Sequence, residues 1–147
     1  MNESVKDCGE YRITINGTDV ACIKNMITNA GLAALAKALT GLASAEIKYL
    51  AIGSSSTAVS ASQTKLVNET ARFALASASS NGAVTTTVFN ILAGEGNGSI
   101  KEIGIFCGEN ATSARNSGTM LSRILWSHDK TNSEEITVTR TDTFGRA

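Results

Sequence analysis

Val84-Thr85-Thr86-Thr87-Val88-Phe89-Asn90-Ile91 is the stretch that decides the fold. Six of its eight residues are β-branched. Such side chains lose rotamer freedom in a helix and pack well on a pleated surface, so the run reads as a strand. Asn81-Gly82, just before it, is a strong hairpin-turn dipeptide. Gly94-Glu95-Gly96-Asn97-Gly98, just after it, reads as the next hairpin turn. Farther along, 100–107 forms a strand with Ile103, Ile105 and Cys107 on one face and Ile100, Glu102 and Phe106 on the other. The segments 120–128 and 135–144 supply the last two strands.

Upstream the pattern is similar. Residues 11–15 alternate and end at Asn16-Gly17, with a second strand, 19–24, at hairpin distance. Residues 47–52 form another strand, closed by Gly53 and a Ser/Thr/Ala-rich loop running to Thr64. Residues 66–77 read two ways: Leu66, Thr70 and Phe73 suit a helical turn, whereas 72–77 alternate like a strand. One helix is expected at about 29–41. Thr28 or Asn29 offers the N-cap oxygen, Ala33, Ala34, Ala36 and Ala38 raise propensity, and Gly41 stands at the C-terminal cap. Leu32, Leu35, Leu39 and Leu42 fall on one face, and Lys37 is the one charge on the outer side, which predicts burial of this helix between a sheet and a second surface, with a neighbouring subunit as one candidate. Short strands separated by turns indicate a mainly β fold. The expected architecture is an antiparallel β-sandwich or barrel-like domain of about seven strands carrying one α-helix. Residues 1–10 are polar and read as a docking or flexible arm, leaving 11–147 as a single β-rich domain.

Composition narrows the function. The 147 residues are 42% hydrophobic and 18% charged, with no proline. Thirteen Lys and Arg balance thirteen Asp and Glu. Zero net charge argues against a sequence-independent nucleic-acid binder and against a polybasic membrane-surface protein. It removes the self-repulsion that keeps molecules apart, which favours assembly. No stretch approaches the ~18–20 apolar residues of a membrane span. The polar start, Met1-Asn2-Glu3-Ser4-Val5-Lys6-Asp7, has no signal-peptide core, so synthesis in the cytoplasm without a secretory signal is expected. Cys8, Cys22 and Cys107 are too few and too scattered for a disulfide scaffold. With a single histidine and no Cys-x-x-Cys spacing, neither a metal nor another cofactor is expected.

Candidate chemistry is thin. The glycines at 94, 96 and 98 lack the G-x-G-x-x-G spacing of a dinucleotide loop and the lysine of a phosphate loop. His128 and Asp129 are adjacent on a strand, so they point to opposite faces and cannot form a relay. No Gly-x-Ser-x-Gly elbow is present, and no catalytic residue is assigned. Glu102 lies inside an apolar strand and requires a partner, with Arg72, Arg123 and Arg140 as candidates and Arg123 the preferred one. Glu69 and Arg72, three apart, read as a local salt bridge. The Asn-x-Ser/Thr triplets at Asn2, Asn16, Asn68, Asn97 and Asn110 read as accidents of composition. Cys8, in the polar arm, is placed to form an intermolecular disulfide in an oxidising medium.

Two segments read together resemble small structural proteins of tailed bacteriophages and prophages. The first is Lys24-Asn25-Met26-Ile27-Thr28-Asn29-Ala30-Gly31-Leu32 with its Ala/Leu helix, then Tyr49-Leu50-Ala51-Ile52-Gly53-Ser54, a Ser/Thr loop, and Leu66 with Glu69 and Arg72. The second is Gly98-Ser99-Ile100-Lys101-Glu102-Ile103-Gly104-Ile105-Phe106, followed by Arg123, Lys130-Thr131 and Glu135-Ile136-Thr137-Val138-Thr139. The likeness runs from about Lys24 to Phe144, leaves residues 1–23 outside, and is to the family of tail-fibre, baseplate-associated or neck/collar-attached phage proteins. It implies a non-enzymatic virion protein made in the host bacterial cytoplasm. Its implied partners are copies of itself, as a ring or trimer, and other tail or neck proteins, with no nucleic acid and no membrane. The interface is expected at the arm 2–11 with Cys8 and Tyr11, the helix surface around Lys37, and the loop 54–64 with Thr57. The alternative is a module binding host-surface carbohydrate. That reading needs exposed aromatics, and Trp126 is expected in the core beside Ile124 and Met120. A small hydrolase or transferase is the third reading, and no relay of nucleophile, base and orienting group supports it.

Overall fold

The computed structural model describes residues 4–146. These form nine strands and one helix: β1 (Val5–Ile15), β2 (Thr18–Asn25), α1 (Asn29–Leu39), β3 (Ile47–Gly53), β4 (Glu69–Ala74), β5 (Ser77–Asn81), β6 (Val84–Ile91), β7 (Gly98–Cys107), β8 (Thr119–Lys130) and β9 (Ile136–Arg146). Every pairing is antiparallel, in a five-stranded sheet of order β2-β1-β9-β6-β5 and a four-stranded sheet of order β4-β3-β7-β8. The main core lies between them. Ile13, Phe89, Ile91, Ile136 and Val138 from the first sheet meet Leu50, Ile52, Ile103, Ile105 and Ile124 from the second. The fold is therefore the expected mainly β sandwich with one helix.

Local chemistry explains the turns. Asn16 and Gly17 both take positive φ (50° and 82°), the geometry that joins two right-twisted strands through a two-residue loop. The second hairpin pairs Asn81 with Val84 around Gly82-Ala83. The glycine-rich turn at 94–98 departs from expectation, because it is not a hairpin. β6 belongs to the five-stranded sheet and β7 to the four-stranded one, so this segment carries the chain across the sandwich. Two strands raise the count above about seven. The ambiguous segment 66–77 becomes β4, and a run of Ser, Ala and Asn becomes the edge strand β5.

The arm expected at 1–10 is also revised. Asn2 lies outside the described residues, while Val5–Ile15 is one continuous strand paired with β9 from Val5↔Arg146 to Ile15↔Ile136. The helix starts where expected, with the Thr28 hydroxyl accepting from the Gly31 N–H at 2.9 Å. It ends two residues early. The N–H groups of Gly41 and Leu42 return to the carbonyls of Ala38 and Lys37, a Schellman closure. Within the single chain its leucine face is only partly covered: Leu35 packs against the main core, while Leu32, Leu39 and Leu42 are 53%, 90% and 79% exposed. α1 instead turns its small-residue side, with Gly31 and Ala34, toward β8. Thr28 anchors that contact, its N–H and hydroxyl donating to the carbonyls of Leu121 and Met120 on the β8 edge.

A candidate assembly surface and three buried charge networks

A smaller cluster sits on the outer face of the four-stranded sheet, where Leu66, Phe106, Ala111, Met120 and Ala51 pack beneath two loops. A register shift between Ile100 and Glu102 turns Ile100 to the inner core, so Ile100 does not share a face with Glu102 as its spacing predicts. Glu102 does lie on the outer face with Phe106, fully buried. Of the three candidate arginines it meets Arg123, whose Nε donates to Oε1 at 2.9 Å with both side chains fully buried. Glu102 also accepts the backbone N–H groups of Ser55, Val67 and Asn68 at 2.9–3.0 Å. Arg123 Nη1 donates to the Thr57 carbonyl at 2.8 Å. One ion pair thus fastens both ends of the loop 54–68. Gly53 makes room for it, since a Cβ there would strike the Asn68 carbonyl and the Glu102 carboxylate. Burial alone would raise the Glu102 carboxyl, but Arg123 and the three N–H donors outweigh it and hold it below its ordinary range.

The Glu69–Arg72 pair performs the same task on the loop 108–118. Arg72 Nε and Nη2 donate to the two Glu69 oxygens at 2.8 and 2.9 Å, and its guanidinium lies 4.4 Å over the Phe106 ring. Nη1 donates to the Thr112 and Ser117 carbonyls. The two loops meet where Arg115 donates to Asn68.

The expected interface residues divide. Thr57 is exposed on the pinned loop and Lys37 is exposed on α1. Cys8 is exposed, as is Cys22, whereas Cys107 is buried; all three are free thiols. Cys8 belongs to a paired strand and not to a free arm. Tyr11 is fully buried and cannot be an interface residue, and its hydroxyl bonds to the Ser122 hydroxyl. Trp126 is half-buried against the main core and stacks on His128 at 5.2 Å, while Met120 belongs to the outer cluster. His128 pairs with Glu134 at 3.1 Å and not with Asp129. The third candidate for Glu102, Arg140, is committed elsewhere.

Between the sheets, toward the start of β1, the interior becomes polar. Arg140 Nη2 and Nε donate to Asp142 at 2.7 and 3.2 Å, and Nη1 donates to Ser122 and Asn25. The guanidinium lies 4.9 Å over the Tyr11 ring. Gly9 provides the space, because a Cβ there would strike the guanidinium. Asp7 reaches this group from β1, and burial followed by its hydrogen-bonding contact with Asp142 pushes its carboxyl up to about 7. Composition did not single out Asp7 or Asp142. The detectable signal was Arg140-x-Asp142, since residues two apart on a strand share a face.

Two surface features remain uncovered. β5 is exposed along its whole length, is an edge, and carries no charge, proline or bulge to block pairing. α1, which packs on β8 and not on β5, presents Leu32 and Leu39, with Leu42 in the turn just after it, and α1 and β5 both border one cavity through Leu35 and Ala78. No family model matches this chain, and neither does any curated protein or solved structure.

Proposed function

We propose that this chain is a non-enzymatic structural protein of a bacteriophage virion, which oligomerises and attaches to tail, fibre or neck/collar components. The observation that carries the reading is the uncovered leucine face of α1. Three leucines at 53–90% exposure, two on one short helix and Leu42 in the turn that closes it, form the kind of apolar patch that a partner's surface covers. The bare edge of β5 adds main-chain donors and acceptors that a second strand can take up. The pinned loops 54–68 and 108–118 supply a rigid polar surface on another side, suited to a second kind of contact. The phage character rests on the sequence resemblance; the tendency to assemble rests on these surfaces.

Light scattering coupled to size exclusion at micromolar concentration tests it. A defined oligomer that dissociates in Leu39→Glu, with an unchanged circular-dichroism spectrum, is the expected result. A wild-type protein that stays monomeric throughout that range overturns the assembly reading.

A further inference from the structure

The polar end of the sandwich opens into a cavity of about 460 Å³. That size falls within the ~300–1,000 Å³ of small-molecule sites. Its two sides differ in chemistry. Leu121, Ile47 and Leu35, from the four-stranded sheet and α1, are apolar, while the five-stranded sheet contributes Asp7, Asp142 and Thr87 beside the apolar Ala78 and Phe144. Two of these polar groups are incompletely used. Thr87 is 6% exposed, and its Oγ1 has no hydrogen-bond partner among the described residues. The same holds for Asp7 Oδ1, which is also buried.

The charges do not balance either. Two carboxylates, Asp7 and Asp142, face one guanidinium, and the Arg140 hydrogen bonds go to Asp142, Asn25 and Ser122, none to Asp7. Asp7 therefore lacks a cation of its own among the described residues. A carboxylate in that position needs either a proton shared with its neighbour or a donor from outside.

We propose that this cavity binds a primary alkylammonium group, its –NH₃⁺ donating to Asp7 and Thr87 and its carbon chain lying along Leu35, Ile47 and Leu121. The ammonium has three donors for the unused acceptors and supplies the missing positive charge. An alkyl chain matches the apolar side, where a sugar or a phosphate would leave hydroxyls or anionic oxygens unpaired. The inference does not rest on the assembly reading.

Binding is coupled to a proton. The charged groups facing Asp7 are Asp142 and Arg140 on β9; Tyr11, on its own strand, faces the same Arg140 and Asp142, and Glu10 and Lys24 border an adjoining groove. β5, β6, β8 and α1 present Ala, Ser, Thr and Leu to the cavity. With the Asp7 carboxyl titrating near 7 in the free protein, the cation must displace its proton in acid. At about pH 6 roughly a tenth of Asp7 is ionised and at about pH 8.5 nearly all of it, while the amine stays protonated at both.

Calorimetric titration of the purified protein with n-hexylamine, and in parallel with n-hexanol, decides the matter. Saturable binding of one hexylamine per chain is expected, about tenfold tighter at about pH 8.5 than at about pH 6. Hexanol, which keeps the chain and drops the charge, is expected to bind at least about tenfold more weakly. Asp7→Asn should remove the pH dependence, and Thr87→Val should weaken hexylamine without changing its pH profile. Equal affinity for the alcohol, an unchanged pH profile in Asp7→Asn, or no saturable hexylamine binding at either pH overturns the proposal. The comparison of amine with alcohol uses the unaltered protein, so it stands even if a variant fails to fold.

Discussion

The molecule buries an arginine side chain against a carboxylate in three places, and two of them give opposite results. On the outer face of the four-stranded sheet, Glu102 receives four hydrogen bonds, three from backbone N–H groups and one from Arg123. Between the sheets, Arg140 satisfies Asp142 but leaves Asp7 beside it with an unpartnered oxygen. Each network sits over a glycine, Gly53 in one case and Gly9 in the other, whose missing Cβ admits the charged group. The lesson is that a buried ion pair cannot be judged by the pair alone. The first network is complete, holds Glu102 ionised and fastens a loop. The second is open, favours a protonated Asp7 and borders a cavity.

The largest effect is expected where the complete network is broken. Glu102→Gln keeps the shape but leaves Arg123 buried without its counter-charge and, whichever oxygen the amide nitrogen replaces, sets its hydrogens against two N–H donors. It should cost about 3–5 kcal/mol in urea unfolding. A loss below about 1 kcal/mol would mean that the buried charge is dispensable. Arg72→Lys keeps the charge and loses the planar fork, so about 2 kcal/mol is expected. Hydrogen exchange should then quicken selectively in 108–118.

The open network should behave in the reverse sense with pH. The folded state raises the Asp7 carboxyl from about 3.9 toward 7, so between those values the folded protein binds more protons than the unfolded chain. The stability it confers is fully present below about pH 4 and is lost as pH rises through about 7. Glu102, held low, runs the other way: its contribution is present above about pH 4.3 and is lost as pH falls through its folded value. Asp7→Asn mimics the protonated acid. After allowance for its partial exposure, it should be near neutral at about pH 5 and stabilising by about 1 kcal/mol at about pH 8. Thermal melts at the two pH values check this, and equal shifts at both would remove the distinction between the networks. The smallest stability effect belongs to Leu39→Glu, within about 0.5 kcal/mol, because the side chain is 90% exposed. Its consequence should appear in oligomeric state alone.

Much of this was legible in the sequence, and the gaps have physical causes. Asn16-Gly17 specified a two-residue hairpin because both residues tolerate positive φ, and Glu102 within an apolar strand required a cation. The turn at 94–98 announced a reversal, yet glycines do not say which sheet the chain enters next. β5 has no apolar alternation to read, since an edge strand exposed throughout needs none. Residues 5–9 looked like an arm because the inward positions there are Asp7 and Gly9, which belong to the polar end of the interior. The leucines of α1 fell on one face as read, but the close approach to β8 was taken by Gly31 and Ala34. The surface left over is the one assigned here to assembly.

The most direct test of the contrast is a carbon-detected NMR titration of the side-chain carboxyls in labelled protein. Asp7 is expected to titrate with a midpoint near 7 while Glu102 stays ionised below the ordinary carboxylate range. An Asp7 midpoint at about 3.9, the value of a solvated aspartate, would contradict it.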